Sequence, residues 1–387
     1  MDCLIDTMMQ LIKREISKAP IDKSCVQNLS DDFLRKLYTL SKTHDTAHLI
    51  GDVLDKNNIL PESAIADDFR EQVFTAVYRY ERIKYTYQQI CDTLESAEIQ
   101  FIPLKGIVIQ DYYPEPWMRT SCDIDILVHR EDLDRAATVI VKNLQYRKEF
   151  AGSHDVSLIS TNGICLELHF DLLEDNRANS SNSVLQNVWE HACLRDGYKY
   201  LYDMDDSMFY FYHIAHMAKH FESGGCGIRP FLDLWLMNSS GRYSGEDTVK
   251  LLKQGDLFVF SNAVQGLSEV WFFGKEHDST TLQMQEYILE GGVYGNQKNK
   301  TSIRQLRSGG KLNYVLSRVF LPYDQLKYQY PILQKHRWLT PFCEFYRWIE
   351  LVFGRKAKNR KRGLKAIKKV SDEQVEQVAE LLSNIGL

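Results

Sequence analysis

Hydrophobic and polar positions alternate in the middle of the chain with the two-residue period that is typical of half-buried β-strands. Four runs within residues 96–173 have this character, and they are Ile99 to Leu104, Asp123 to His129, Val156 to Ser160 and Ile164 to Phe170. Thr161-Asn162-Gly163 separates the last two runs and predicts a short hairpin turn. Residues 133–144 place apolar side chains at helical spacing between the second and third runs. We therefore expect a mixed sheet with helices on one face, an α+β or α/β arrangement.

On both sides of this region, apolar residues recur every three or four positions, which predicts helices. Ser30 followed by Asp31 and Asp32 predicts a capped helix start in the N-terminal part. From Asp205 onward the spacing is again helical. The pattern predicts three parts: a helical region at residues 1–95, a sheet-containing domain at residues 96–196 and a helical region at residues 197–387.

Two carboxylates in the second strand run are separated by a single residue. In an extended strand Asp123 and Asp125 point to the same face, while Ile124 and Ile126 point into the core. Two like charges side by side repel unless a cation lies between them, and Mg²⁺ accepts one or two carboxylates together with substrate phosphates. For an isolated Asp-x-Asp pair, a solvated strand end is the alternative. The neighbouring residues favour a metal site for Mg²⁺ or Mn²⁺.

Groups suited to phosphate lie beside the pair. Lys105-Gly106 ends the first strand run and opens a short helical run, where glycine lets backbone N–H groups approach an anion. Arg119 lies four residues before Asp123 and is placed to neutralise phosphate oxygens. These residues predict a cationic phosphate site next to the carboxylates.

The last strand run offers a third carboxylate. Glu167, His169 and Asp171 share one face of that run. Glu167 is the candidate third metal ligand and a candidate general base, with Asp171 as the alternative. His169 is placed to orient Glu167 or to contact a substrate that binds beside it.

These motifs resemble a bacterial family of uncharacterised nucleotidyltransferases in the DNA polymerase beta-like nucleotidyltransferase superfamily. The resemblance is carried by Leu104-Lys105-Gly106, Tyr113-Pro114, Arg119, Asp123 to Val128 and Leu166 to His169, and it runs on to His216, Lys219, His220, Arg229 and Asp233. The superfamily's usual glycine-serine pair appears here as Lys105-Gly106, with no serine after the glycine. The resemblance implies a nucleotidyltransferase-like fold, with residues 96–196 as the catalytic domain.

The resemblance also implies a reaction and its residues. The reaction is Mg²⁺- or Mn²⁺-dependent transfer of a nucleoside monophosphate from a nucleoside triphosphate, with ATP the expected donor. The implied catalytic and metal-binding residues are Asp123, Asp125 and Glu167; the implied nucleotide-binding residues are Lys105, Gly106, Arg119, Lys219, His220 and Arg229; His169 and Asp233 would support them. Arg229 and Asp233 stand four residues apart, so a surface ion pair is the alternative interpretation for both.

Two other functions stay open at this point. The same site could pass the γ-phosphoryl group and act as an ATP-dependent kinase on a small molecule or peptide. Alternatively, the protein could be a catalytically inactive nucleotide-binding or antitoxin-like protein. The acceptor, whether a small molecule, a peptide or a protein, is not identified by the residues.

The composition is that of an ordinary globular protein, with 387 residues, 44% hydrophobic and 26% charged. The formal net charge of -5 gives no overall attraction to nucleic acid, which disfavours a nucleic-acid partner or a template-directed polymerase. Eight scattered cysteines without a C-x-x-C pair are typical of reduced thiols. Neither a signal peptide nor a run of about 18 apolar residues is found, so we expect a cytoplasmic protein with no membrane partner.

One charged segment stands apart from this pattern. Nine of the fifteen residues from Arg355 to Lys369 are lysine or arginine. Such a cluster is either a solvated helix face or a binding surface for an anionic partner or acceptor.

Overall fold

The computed structural model describes residues 2–20, 29–152, 154–172, 179–243, 245–293, 295–321, 323–353 and 370–387. The basic segment at residues 355–369 lies outside this range. The chain forms two compact units, one of Met1–Lys219 with Gly227–Gln285 and one of His220–Cys226 with Glu286–Leu387. The three predicted parts, with boundaries after residues 95 and 196, divide the chain differently from these two units and stay a prediction.

The N-terminal part is helical, as its spacing predicts. Its helices are α1 (Asp2–Ser17), α2 (Asp31–Thr43), α3 (Ala47–Lys56) and α4 (Ala64–Ser96). The start of α2 is capped by Ser30, whose hydroxyl accepts a hydrogen bond from the Phe33 backbone N–H at 3.3 Å, and two aspartates occupy its first turn. Both features stabilise a helix N-terminus.

The sheet is mixed, which confirms the predicted α+β class. Its strands are β1 (Phe101–Leu104), β2 (Asp123–Val128), β3 (Arg147–Ala151), β4 (Asp155–Ile159) and β5 (Cys165–His169), in the spatial order β1-β2-β5-β4-β3. β2 and β5 are parallel, and the other neighbours are antiparallel. The predicted turn joins β4 to β5, and Gly163 has a φ of +80° there, a conformation that glycine adopts without strain. The polar strand β3 was not predicted.

The two faces of the sheet differ in chemistry. Ile124, Ile126, Leu166 and Leu168 are fully buried in a core that also includes side chains of α4 and of α6 (Leu133–Leu144). Because side chains alternate along a strand, the intervening polar residues of β2 and β5 lie on the opposite face. The alternation thus separates the hydrophobic core from a polar face that includes Asp123, Asp125, Glu167 and His169.

Short elements and further helices complete the described chain. A four-residue helix α5 (Gly106–Ile109) follows β1, and α7 (Asn179–Leu185) precedes a two-stranded ribbon of β6 (Ala192–Leu194) and β7 (Tyr202–Met204). The helices after the ribbon are α8 (Asp206–Phe221), α9 (Arg229–Ser239), α10 (Glu246–Gln254), α11 (Phe258–Phe273), α12 (Ser279–Leu289), α13 (Gln297–Arg307), α14 (Lys311–Val319), α15 (Tyr323–Gln329), α16 (Thr340–Phe353) and α17 (Asp372–Asn384). Short 3₁₀ helices lie at Gln110–Tyr112, Pro116–Met118, Arg130–Asp132, Val188–His191, Pro331–Gln334 and Arg337–Leu339. Within the described ranges, no helix combines the length and the hydrophobicity needed to cross a membrane.

Candidate active site

The parallel pairing of β2 with β5 brings the predicted carboxylates together. Asp125 stands directly opposite Glu167 in the register of the two strands, and Asp123 stands opposite Cys165. His169 lies two residues after Glu167 and therefore on the same face. One ligand atom from each of Asp125, Glu167 and His169 lies within 4.8 Å of the others, a spacing at which three groups could share a metal ion.

Asp125 is at the centre of this cluster. Its Oδ1 accepts a hydrogen bond from Lys105 Nζ at 2.8 Å and another from His169 Nε2 at 2.8 Å. His169 Nε2 also lies 3.5 Å from Glu167 Oε2. Burial raises the pKa of Asp125, but Lys105 and His169 outweigh burial and hold that pKa well below its usual range. Asp125 is therefore an ionised carboxylate in a buried, charge-paired setting.

Lys105 and His169 respond to the same charges. Burial lowers the pKa of the Lys105 ammonium, but Asp125 outweighs it and raises that pKa above the ordinary value. Burial also lowers the pKa of His169, whereas its hydrogen bonds to Asp125 and Glu167 raise it, with a net increase. Positive charge is thus concentrated around the Asp125 carboxylate.

Asp123 sits in a different environment from Asp125. Burial and the neighbouring Asp125 raise its pKa, and the effects of Lys105 and Ser121 in the other direction are smaller. The Ser121 hydroxyl donates a hydrogen bond to Asp123 Oδ1 at 2.9 Å. Ser121 was not predicted from the sequence, because a single serine two residues before an aspartate is too common to carry a signal.

The turn after β1 places Lys105 and Gly106 beside this pair. Lys105 has φ 50° and ψ -123°, a backbone conformation that costs a non-glycine residue about 1–3 kcal/mol. A Cβ on Gly106 would lie 3.1 Å from Ser121 Oγ, so glycine permits the close approach of the turn to Ser121. The helix that follows has four residues, so its dipole is small.

Arg119 lies close to Gly106 but faces a carboxylate. Its Nε and Nη2 donate to the two carboxylate oxygens of Asp233 at 2.7 and 2.9 Å. The Tyr113 hydroxyl donates to the same Oδ1 of Asp233 at 2.6 Å. Burial raises the pKa of Asp233, but Arg119 outweighs it and lowers that pKa below the usual range. The three side chains form a buried hydrogen-bonded group.

Arg229 and Asp233 have different partners, although they stand four residues apart on α9. Arg229 Nη1 donates to Asp45 Oδ2 at 2.8 Å and to the Thr120 backbone oxygen at 3.0 Å. The Thr120 hydroxyl donates to the same Asp45 oxygen at 2.7 Å. Asp45 was missed by the sequence analysis, since it precedes α3 and carries no motif. The two arginines together fix the segment that leads into β2.

The remaining predicted residues lie farther along the chain. Lys219 and His220 are half-buried at the C-terminal end of α8, and His220 belongs to the second compact unit. Tyr212, earlier on α8, lies close enough to contribute to the raised pKa of Lys105 and was not predicted. Asp171, the alternative third carboxylate, has its Oδ2 3.6 Å from Arg130 Nη2.

A mixed sheet that presents neighbouring carboxylates beside a lysine defines an α+β protein with a candidate metal site. The family model described as Uncharacterised nucleotidyltransferase matches residues 32–272, and the chain belongs to that family, as its motifs predicted. The matched residues include the carboxylate cluster, Lys105 and both arginine networks. Comparisons with curated proteins and with solved structures give no significant match. Membership supports a transferase, and nucleotidyltransferase activity in general terms.

Proposed function

We propose that the protein is a Mg²⁺- or Mn²⁺-dependent nucleotidyltransferase that moves a nucleoside monophosphate from a nucleoside triphosphate, expected to be ATP, to an acceptor. The observation that carries the proposal is the pairing of Asp125 with Glu167 across two parallel strands, with Lys105 Nζ 2.8 Å from Asp125. Family membership supports the general reaction. The acceptor is a small molecule, a peptide or a protein.

The donor set fits a divalent metal. Carboxylate oxygens are the ligands that Mg²⁺ and Mn²⁺ prefer, and His169 adds a nitrogen that Mn²⁺ tolerates better than Mg²⁺. Asp123, Asp125 and Glu167 are the proposed ligands, and His169 lies close enough to join Asp125 and Glu167 in binding an ion. When bound, the ions would supply the positive charge that offsets the charge developing on the attacking and leaving oxygens.

The other residues would bind and orient the reactants. Lys105 would bind the phosphates, since it is the charged group next to Asp125, and the Gly106 backbone N–H remains a proposed phosphate contact. Glu167 would accept the proton of the acceptor group, because it lies at the cluster and is more exposed than Asp125. Lys219 and His220 remain proposed nucleotide contacts.

The two arginines would act mainly through the chain segment that they hold. Arg119 and Arg229 each donate to a carboxylate and to the Thr120 backbone oxygen. Thr120 and Ser121 immediately precede the strand that begins at Asp123. We assign both arginines to positioning Asp123, with contact to the phosphates as a further role for Arg229.

The direct test is to incubate the protein with the four nucleoside triphosphates and Mg²⁺, and to follow binding and pyrophosphate release with and without candidate acceptors. We expect one triphosphate to bind in a Mg²⁺-dependent manner that Asp125→Ala abolishes. Mass analysis of the product identifies the bond that breaks, because an added nucleoside monophosphate supports the proposal and an added phosphate indicates a kinase. Mg²⁺-dependent binding that survives Asp125→Ala would refute the proposed site.

A further inference from the structure

We propose that Lys105 is an internal counter-ion of Asp125 that a divalent ion must displace and that nucleotide phosphates draw away, so that metal and nucleotide bind cooperatively. The inference rests on the proposed function, because it requires a metal and a triphosphate at this site. It concerns the order and coupling of binding, which the proposed reaction leaves open.

The contact between the two groups is direct. Lys105 Nζ lies 2.8 Å from Asp125 Oδ1, and this oxygen also accepts from His169. A Mg²⁺ ion on the same carboxylate would sit about 2.0–2.1 Å from its oxygen. At that place it would meet the lysine ammonium at close range in a partly buried site, where like charges repel strongly. Asp125 therefore holds either the ammonium or the divalent ion on this oxygen.

The surroundings of Lys105 keep its ammonium in place and charged. Its Nζ lies 2.8 Å from Asp125 Oδ1, and a carboxylate oxygen of Glu167 lies within 4.8 Å of an oxygen of Asp125. Because the ammonium lies on Oδ1 itself, an ion that binds this oxygen has to displace a cation. The competition lowers the metal affinity of the free protein.

Lys105 is also the partner that can leave. Its side chain is 23% exposed, whereas that of Asp125 is 4% exposed. The lysine stem is long and flexible, while the carboxylate is fixed on a central strand. A triphosphate offers Lys105 a more strongly charged partner than one carboxylate. When the Lys105 ammonium moves to the triphosphate, Asp125 is free to bind the metal. Because linkage is reciprocal, each ligand then tightens the binding of the other.

Metal binding without nucleotide provides the first test. We would measure Mn²⁺ affinity by isothermal titration calorimetry for the wild type, Lys105→Met and Lys105→Arg. The control is Lys275→Met, because Lys275 forms an exposed ion pair with Glu269, with 2.9 Å between Nζ and Oε2. We expect Lys105→Met to bind Mn²⁺ about tenfold more tightly than the wild type, which corresponds to about 1.4 kcal/mol. Lys105→Arg keeps the competing charge and should resemble the wild type, as should Lys275→Met.

The second test uses the wild-type protein and does not depend on the folding of a variant. Lysines are acetylated with an N-hydroxysuccinimide ester, and labelling of Lys105 is followed by peptide mass spectrometry with and without Mg²⁺ at constant ionic strength. Displacement from Asp125 releases the Lys105 side chain from its ion pair and exposes its amine in a larger fraction of molecules, so we expect Mg²⁺ to increase the labelling rate of Lys105 by about threefold or more. Labelling of Lys275 should not change.

The outcomes separate this inference from the proposed function. If Asp125→Asn abolishes Mn²⁺ binding, while Lys105→Met leaves the affinity unchanged and Mg²⁺ leaves Lys105 labelling unchanged, the counter-ion role is wrong and the metal site stands. If Asp125→Asn binds Mn²⁺ as tightly as the wild type does, both with and without nucleotide, both proposals fail. Should Lys105→Met not fold, the labelling result decides.

Discussion

Replacing Asp233 with asparagine keeps the shape of the side chain but removes the charge that Arg119 faces. The pair is well buried, with 9% of the Arg119 side chain and 1% of the Asp233 side chain exposed. Removing one partner of a buried ion pair costs about 3–5 kcal/mol, because the other charge is left uncompensated. Asparagine still accepts one hydrogen bond, so we expect a loss of about 3 kcal/mol in the free energy of unfolding.

Chemical denaturation at pH 7 measures this loss. Asp233 has a lowered pKa, so its contribution is complete above its ordinary pKa of 3.8 and is lost as the pH falls through the lower value of the folded protein. The matched control is Asp206→Asn, since Arg242 also contacts both oxygens of Asp206. That pair is 57% and 38% exposed, so its loss should cost less than about 1 kcal/mol. Equal losses in the two variants would refute the reasoning from burial.

Three further predictions concern catalysis and pH. Asp123→Asn should abolish nucleotidyl transfer without a loss of stability beyond about 1 kcal/mol, as measured by product formation and denaturation, because it removes charge but little volume; near-normal transfer with a genuine acceptor would contradict the assignment. Gly106→Ala brings a methyl group 3.1 Å from Ser121 Oγ and should lower kcat at least about tenfold by shifting Ser121 and Asp123. An unchanged kcat would show that the turn accommodates the methyl group without moving Asp123. Burial lowers the pKa of His44 from 6.5 to about 4, so its contribution to stability is complete above pH 6.5 and is lost as the pH falls towards 4, by up to about 3 kcal/mol. His44→Leu should flatten the denaturation profile over that pH range, and an unchanged slope would place the titration elsewhere.

The strand pattern was sufficient to predict one face of the site. Alternation in Asp123–Val128 places both aspartates on the polar side, and the Asn-Gly turn predicts that β5 pairs with β4. The family and the α+β class also follow from local motifs. The parallel pairing that sets Asp125 opposite Glu167 joins strands about forty residues apart, and no local pattern specifies such a pairing.

The arginine partners could not be predicted for a related reason. Arg119 and Asp233 are 114 residues apart in the chain, and Asp45 lies 184 residues before Arg229. A sequence motif supports a charged residue near phosphate, but it does not report a carboxylate that the fold brings beside it. Burial decides whether such an arginine pairs with a carboxylate of the protein, because a buried arginine requires a compensating charge before any ligand arrives.

The balance of charges in this part of the chain follows from these pairings. Arg119 and Arg229 face Asp233 and Asp45, so much of their charge is neutralised within the protein. Lys105 faces Asp125, and Asp125 is the carboxylate that the proposed metal would take over. In the proposed mechanism, a metal that replaced the ammonium at Asp125 would release the positive charge of Lys105 to bind the triphosphate. In the same proposal, the two arginines would hold the segment that presents Asp123, while Lys105 and the metal would bind the negatively charged phosphates of the substrate.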